Sequence, residues 1–362
     1  MTETSHPTPS RTALTGVRVF DGNGLTEPRT VVIDGAVIGA DPAGARIVDA
    51  AGAVLLPGLI DAHIHLHDRD TLRQLSAWGV TTGLDMASWP ADLPASLRDA
   101  AGLTDIRSAG LPAVGPGGPH SKILPLPRDA VVTSTAQATA FVADRIAEGA
   151  DYIKIVTEAP GEGGPAREVV DALVAAAHAQ GRKAIAHASS SGAFTLAVGA
   201  GVDMVTHAPL DQPVTAADIS RMAATGQVAI PTLTMMEGIA AGRRVPFDAA
   251  PQSVRAMHQA GVPILAGTDA NANPSPFPVP HGESLHHELE LLVGAGLSTV
   301  EVLRAATVLP AHHFGLTDRG AITSGLRADL VLIDGDPIAD IRATRKIRRI
   351  WCAGVERTPA TA

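Results

Sequence analysis

The stretch LLPGLIDAHIHLHDRD (residues 55–70) joins an apolar run and a Pro-Gly break to three histidines at alternate positions, His63, His65 and His67. Residues two apart on a strand share a face. The segment therefore reads as a buried strand that meets water with imidazoles aligned on one side. Such a row calls for a common partner, and the rest of the chain supplies candidates.

Beyond Val54, short β-branched or Ala-rich runs alternate with helical segments. The strand candidates are 79–86, 110–118, 151–158, 183–189, 202–208, 227–234 and 262–269. Ala-rich stretches such as AQATAFVADRIAEGA and EVVDALVAAAHAQG lie between them, the second stopping at Gly181, a C-cap signal. With the opening strand this makes eight βα units, so the expected class is α/β, a (β/α)8 TIM barrel over residues 55–318. A doubly wound open sheet is the competing architecture. It would usually carry a glycine-rich phosphate loop after its first strand, where this chain has histidines.

The two ends have a different texture. Residues 13–54 alternate apolar and polar side chains around Asp34-Gly35, and 319–358 do so around Asp334-Gly335. Asp-Gly between β-rich runs is a hairpin signal. Neither end could bury a core alone, so both are expected to build one small β-sandwich. Residues 1–12, MTETSHPTPSRT, read as a disordered tail. No internal repeat or low-complexity linker is evident.

Composition removes several functions. The 362 residues are 45% hydrophobic and 18% charged, with a net charge of −9. That profile suits a soluble globular protein with an ample core, and no Lys/Arg stripe offers itself to nucleic acid. No apolar stretch is long enough for a membrane span, and the start lacks a signal-peptide pattern. The single cysteine, Cys352, cannot form an internal disulfide and suits a reducing cytoplasm. A small-molecule substrate is expected, and a homo-oligomer is compatible with the sequence.

In a barrel the active site gathers at the C-terminal ends of the strands. There the first strand delivers His63 and His65, the fourth Lys154, the fifth His187, the sixth His207 and the eighth Asp269. Each has an ordinary reading alone: a histidine can be solvated, and Asp269 can cap a helix. Lys154, inside the apolar run YIKIV, must be paired, neutral or modified. Six such residues at corresponding places on five strands point to divalent metal.

LPGLIDAHIH, the IKI lysine, AHA, VTHA and AGTDA together resemble the amidohydrolase superfamily, in its imidazolonepropionase-like and prolidase-like branch. ADLVLIDGDP resembles that family's closing sandwich. The resemblance runs from about Leu14 to Val355 and implies a binuclear centre. His63, His65 and Asp269 would hold one ion, His187 and His207 the other, and Lys154, carboxylated on Nζ, would bridge them. Zinc is the expected metal, though nitrogen and oxygen ligands also suit manganese or iron. A metal-bridging hydroxide would then cleave an amide-type C–N bond, with Asp269 as general base and acid.

A lactonase or esterase on the same metals, or a non-hydrolytic member, is the alternative function. An inactive scaffold would be expected to have lost ligands, and a mononuclear deaminase would need an HxE glutamate that AHASSSGAF lacks. His120, in a glycine-rich loop, is a candidate to hydrogen-bond the scissile carbonyl, and His281 a candidate to line the pocket. A substrate carboxylate could meet Arg167, Arg243 or Arg244. His67 falls past the strand end. His286 and His287 would start a helix, His312 and His313 would be structural, and Tyr152 would be core.

Overall fold

The computed structural model describes residues 11–123, 125–271 and 277–360; the expected tail lies mostly outside them, and so does part of the proline-rich segment after Asp269. Five strands open the chain: β1 (Thr12–Val19), β2 (Arg29–Asp34), β3 (Val37–Gly39), β4 (Arg46–Asp49) and β5 (Ala53–Pro57). Seven parallel strands follow: β6 (Leu59–Ile64), β7 (Val80–Asp85), β8 (Asp105–Ser108), β9 (Ile153–Val156), β10 (Ala184–His187), β11 (Met204–Thr206) and β12 (Val228–Ile230). The last three are β13 (Leu330–Asp334), β14 (Ile347–Cys352) and β15 (Val355–Arg357).

Helices fill the intervals between the parallel strands. The helix Arg167–Ala179 buries Val169, Val170, Leu173, Val174 and Ala177, a stripe at helical spacing. Ser134, Ser190 and Thr215 begin three others by accepting a main-chain N–H with their side-chain oxygens. Every residue of β6 and β7 is buried, as expected of parallel strands covered on both faces.

The parallel strands form two sheets, β6–β7–β8 and β12–β11–β10–β9. Isolated bridges join Ala113 to Ile155, Ala229 to Ile264 and Ile64 to Ala270. Their inner faces share a cluster that includes Ile60, Leu84, Tyr152, Ile185, Met204 and Leu265.

Two expected strands differ from the observed ones. The third is Asp105–Ser108, whose Asp105–Arg107 ion pair (3.0 Å) disguises it as polar loop. In 110–118, Gly110 takes a φ of 63° and Pro112 has no N–H, so only Ala113 and Val114 form bridges. Pro263 similarly interrupts 262–269, which keeps single bonds such as Leu265 N–H to the Ala229 carbonyl.

Both ends of the chain enter one eight-stranded sheet, ordered β15–β14–β13–β5–β1–β2–β3 with β4 on β1. The joint is antiparallel pairing of β5 with β13, from Ala53 opposite Asp334 to Pro57 opposite Leu330. Asp34-Gly35 turns β2 into β3 as expected. Around Asp334-Gly335, β13 and β14 do pair antiparallel, but through a long connection that includes the 3-10 helix Ile341–Arg345 and not through a tight Asp-Gly turn. The tight C-terminal turn is Ala353-Gly354, between Cys352 and Val355. A Cβ on Gly354 would collide with the Gly35 carbonyl, so the two turns abut.

Leu14, Val31, Ile33, Leu55 and Leu332 pack with Trp351 in a core of their own. Trp351 is 1% exposed. Trp351→Ala should cost about 3–5 kcal/mol in denaturant unfolding. Limited proteolysis of that variant should cut both ends together, because their strands share one core; loss of one end alone would contradict this.

Candidate metal centre

The expected site residues come from the ends of the parallel strands. His63 ends β6 with His65 just beyond it, Lys154 lies in β9, His187 ends β10 and His207 follows β11. Asp269 follows the bridged segment after β12. Asp269 and His207 hold left-handed φ values of 61° and 77°, which side-chain-bearing residues rarely adopt. Main-chain bonds secure both: Asp269 N–H donates to the His63 carbonyl at 2.8 Å, and His207 N–H to that of Ile230 at 2.9 Å.

Asp61 underlies this arrangement. Its buried carboxylate accepts from His63 N–H (3.1 Å), Thr268 N–H (3.0 Å) and the Thr268 hydroxyl (2.7 Å). Burial pushes its carboxyl up to about 7 against those three donors.

Around Asp269 the donor atoms converge. Its Oδ1 lies 2.8 Å from His65 Nε2 and 3.3 Å from His63 Nε2. One ligand atom from each of these three residues fits within 4.8 Å of the others. The rings of His63 and His207 are 5.0 Å apart, those of His207 and His187 4.3 Å, and those of His187 and His120 4.4 Å. Four imidazoles thus run in a row across the strand ends. Lys154, 3% exposed, donates from Nζ to the Thr206 hydroxyl at 2.8 Å.

Burial sets the charge state here. It lowers His63 to about 3, and it holds His187 and His207 well below the usual histidine range, with neighbouring imidazoles adding repulsion. Lys154 falls to about 7 for the same reason. Burial would raise Asp269, but His63 and His65 outweigh it and keep the carboxyl well below its ordinary value. In return, Asp269 raises His65 against the burial that opposes it. Neutral rings offer lone pairs, and two lack any hydrogen-bond partner at a buried nitrogen: His63 Nδ1 and His187 Nε2. Imidazole nitrogens converging on an ionised carboxylate, with further buried ring nitrogens left unpartnered, fit a divalent cation.

Two cavities meet over this row, of about 790 and 580 Å³, sharing His120, His187, His207 and Asp269. His120 lies in the short helix Pro119–Ile123, not in an open loop. His281 does not line these two cavities: its Nε2 lies 2.9 Å from the His65 carbonyl, and it lines an adjoining cleft that shares His67 and Asn271 with the larger cavity. Burial lowers it to about 4. Arg243 lines the smaller cavity and stacks over Phe277 at 5.7 Å. Arg167 pairs with Asp171 on its own helix, and Arg244 lines neither cavity.

The remaining candidates keep their expected places. His286 and His287 are in the helix Glu283–Gly294, the first bonded to the Trp78 carbonyl. The rings of His312 and His313 meet edge-on, and Tyr152 is core. The sequence reading missed Glu158, which is 8% exposed and faces His120 at 3.3 Å. Its position four residues after Lys154 was the only signal. No helix among the described residues is long and apolar enough to cross a membrane.

Known proteins resemble this chain in sequence and in fold. An uncharacterized protein of Mycobacterium tuberculosis (strain ATCC 25618 / H37Rv) is 28% identical over 349 residues, covering 87% of this chain and 89% of that one. An imidazolonepropionase of Deinococcus deserti is 33% identical over 144 residues, 38% of this chain and 32% of the relative. The crystal structure of a Xaa-Pro dipeptidase with methionine bound in its active site has the same fold, with a TM-score of 0.83 and 23% identity, over 96% of this chain and 100% of that one. The amidohydrolase family model matches residues 54–357, and with it the resemblance carried by the histidine, lysine and aspartate motifs is borne out: the chain belongs to the amidohydrolase family.

Proposed function

We propose that this protein is a metal-dependent hydrolase that cleaves an amide-type C–N bond in a small molecule. The observation that carries the reading is Asp269 Oδ1 facing His65 Nε2 at 2.8 Å and His63 Nε2 at 3.3 Å, in a three-residue cluster of metal-ligand type, with the buried His187 Nε2 left without a hydrogen-bond partner. The bridges between the two parallel sheets support their closure into an eight-stranded barrel. The shared terminal core supports one small sandwich made from both ends of the chain.

His63, His65 and Asp269 would hold one divalent ion, most simply zinc, and His187 and His207 a second. Lys154, carboxylated on Nζ, would lie between them. Such ions supply Lewis-acid polarisation of a carbonyl and a more acidic water.

The chain's own groups do the rest. Asp269 turns Oδ1 to His63 and His65, leaving Oδ2, 3.9 Å from His207 Nδ1, as the oxygen free to take a proton from attacking water. The same oxygen returns that proton to the leaving nitrogen. His120 lines both cavities and would contact the substrate carbonyl. Burial of Lys154 favours its unprotonated amine, the form that adds carbon dioxide.

Protein purified without chelator should contain about two divalent ions per chain by elemental analysis. A metal-free preparation that hydrolyses amides would refute the proposal. A screen of N-acyl amino acids, dipeptides, cyclic amides and lactones on the loaded protein separates amide from ester chemistry.

Lys154→Ala should lose metal and activity while keeping the far-UV circular dichroism of the parent. Added formate, acetate or propionate should restore part of the turnover by supplying the missing carboxylate. Carbon-13 bicarbonate should label the parent at Lys154; an active, fully metallated enzyme with a bare lysine there would contradict the bridge.

A further inference from the structure

Two glycine-rich segments, 115–118 and 161–164, meet beside the end of β9. Gly117 N–H donates to the Gly163 carbonyl at 2.9 Å. A Cβ on Gly115 would collide with the main chain of Gly163 and Gly164, and one on Gly163 with that of Gly117. Gly163 also holds a φ of 85°. Backbone therefore packs directly on backbone, and the side chain held against the contact is Glu158, which also lines the smaller cavity. A Cβ on Gly164 would lie 2.8 Å from Glu158 Cβ, and one on Gly118 3.2 Å from Oε1.

A carboxylate buried in this way needs a partner. Among the described residues its hydrogen-bond partner is His120, whose Nδ1 lies 3.3 Å from Glu158 Oε1. His120 follows the first glycine segment directly and sits on a helix of five residues, Pro119–Ile123. Such a short element holds a ring poorly unless other groups fix it. The His187 ring meets it edge-on at 4.4 Å, which limits tilt but leaves rotation about the ring axis open. A hydrogen bond from Nδ1–H to Glu158 removes that freedom and leaves Nε2 as the nitrogen available to a ligand in the cavities.

We propose that Glu158 is a positioning residue for His120. It fixes the ring's orientation and tautomer, so that Nε2 meets the substrate over the row of imidazoles, and the interlocked glycines bring it there. The proposal rests on His120 being a substrate contact, as argued above. Glu158 touches no candidate metal ligand by hydrogen bond, so its effect should be separable from metal binding.

The test is a double-mutant cycle on the full-length, metal-loaded chain with the best amide from the screen, together with nitrogen-15 spectra of histidine-labelled protein. Glu158→Ala should lower kcat about 10–100-fold with KM and metal content unchanged. It should also move the His120 resonances, identified by their absence in His120→Ala, away from the Nδ1–H tautomer. Glu158→Gln, whose amide oxygen still accepts from Nδ1–H, should recover most of both. In a His120→Ala background, Glu158→Ala should cost nothing further. Additive losses, or His120 resonances unmoved by Glu158→Ala, would overturn the proposal. If His120→Ala alone leaves kcat unchanged, the substrate contact falls, while the spectra still decide whether Glu158 holds the ring.

Discussion

The Asp61 carboxylate is the tie on which the centre depends. It lies inside β6 yet bonds to Thr268 across the gap, joining the first parallel strand to the segment that delivers Asp269, 208 positions later in the numbering. Leaving such a buried acceptor without one of its partners costs about 1–3 kcal/mol, more for a charged group. The left-handed backbone at Asp269 persists because this tie and the bond to the His63 carbonyl leave it no relaxed alternative. Strain at Asp269 and His207 is thus stored by the framework and spent on aiming side chains.

Burial then decides the chemistry. His63, His187, His207 and Lys154 are packed around Asp269 where water screens them poorly, and charging the rings would set like charges close together. Burial keeps His63, His187 and His207 neutral, beside the ionised Asp269 that can balance a cation. An arrangement so poor in internal hydrogen bonds would be a weak core. It is a sound coordination sphere.

The alternation of His63 and His65, and the anomaly of a lysine in YIKIV, made the centre legible in sequence because strand periodicity and the cost of a buried ammonium are local facts. The third strand was hidden because Asp105 and Arg107 neutralise each other only once folded. Asp334-Gly335 carries a turn signal but leads into a 3-10 helix, while the true turn, Ala353-Gly354, is held by a neighbouring turn far away in sequence. His281 illustrates a second limit: residue type and approximate position cannot tell which of two adjoining clefts a side chain lines. Glu158 illustrates a third, since its burial depends on two loops meeting about 45 residues apart.

The pairing of β5 with β13 has a consequence for how the protein is made. On the ribosome, the strand Ala53–Pro57 emerges long before its neighbour Leu330–Asp334. At roughly 5–20 residues per second, the intervening stretch takes about 14–55 s to synthesise. Throughout that interval the N-terminal strands expose an unpaired edge and half a core, a surface that invites nascent chains to associate. Completion of this sheet is therefore late relative to synthesis of its N-terminal strands, and the cell's chaperones have a defined segment to guard until Leu330–Asp334 arrives.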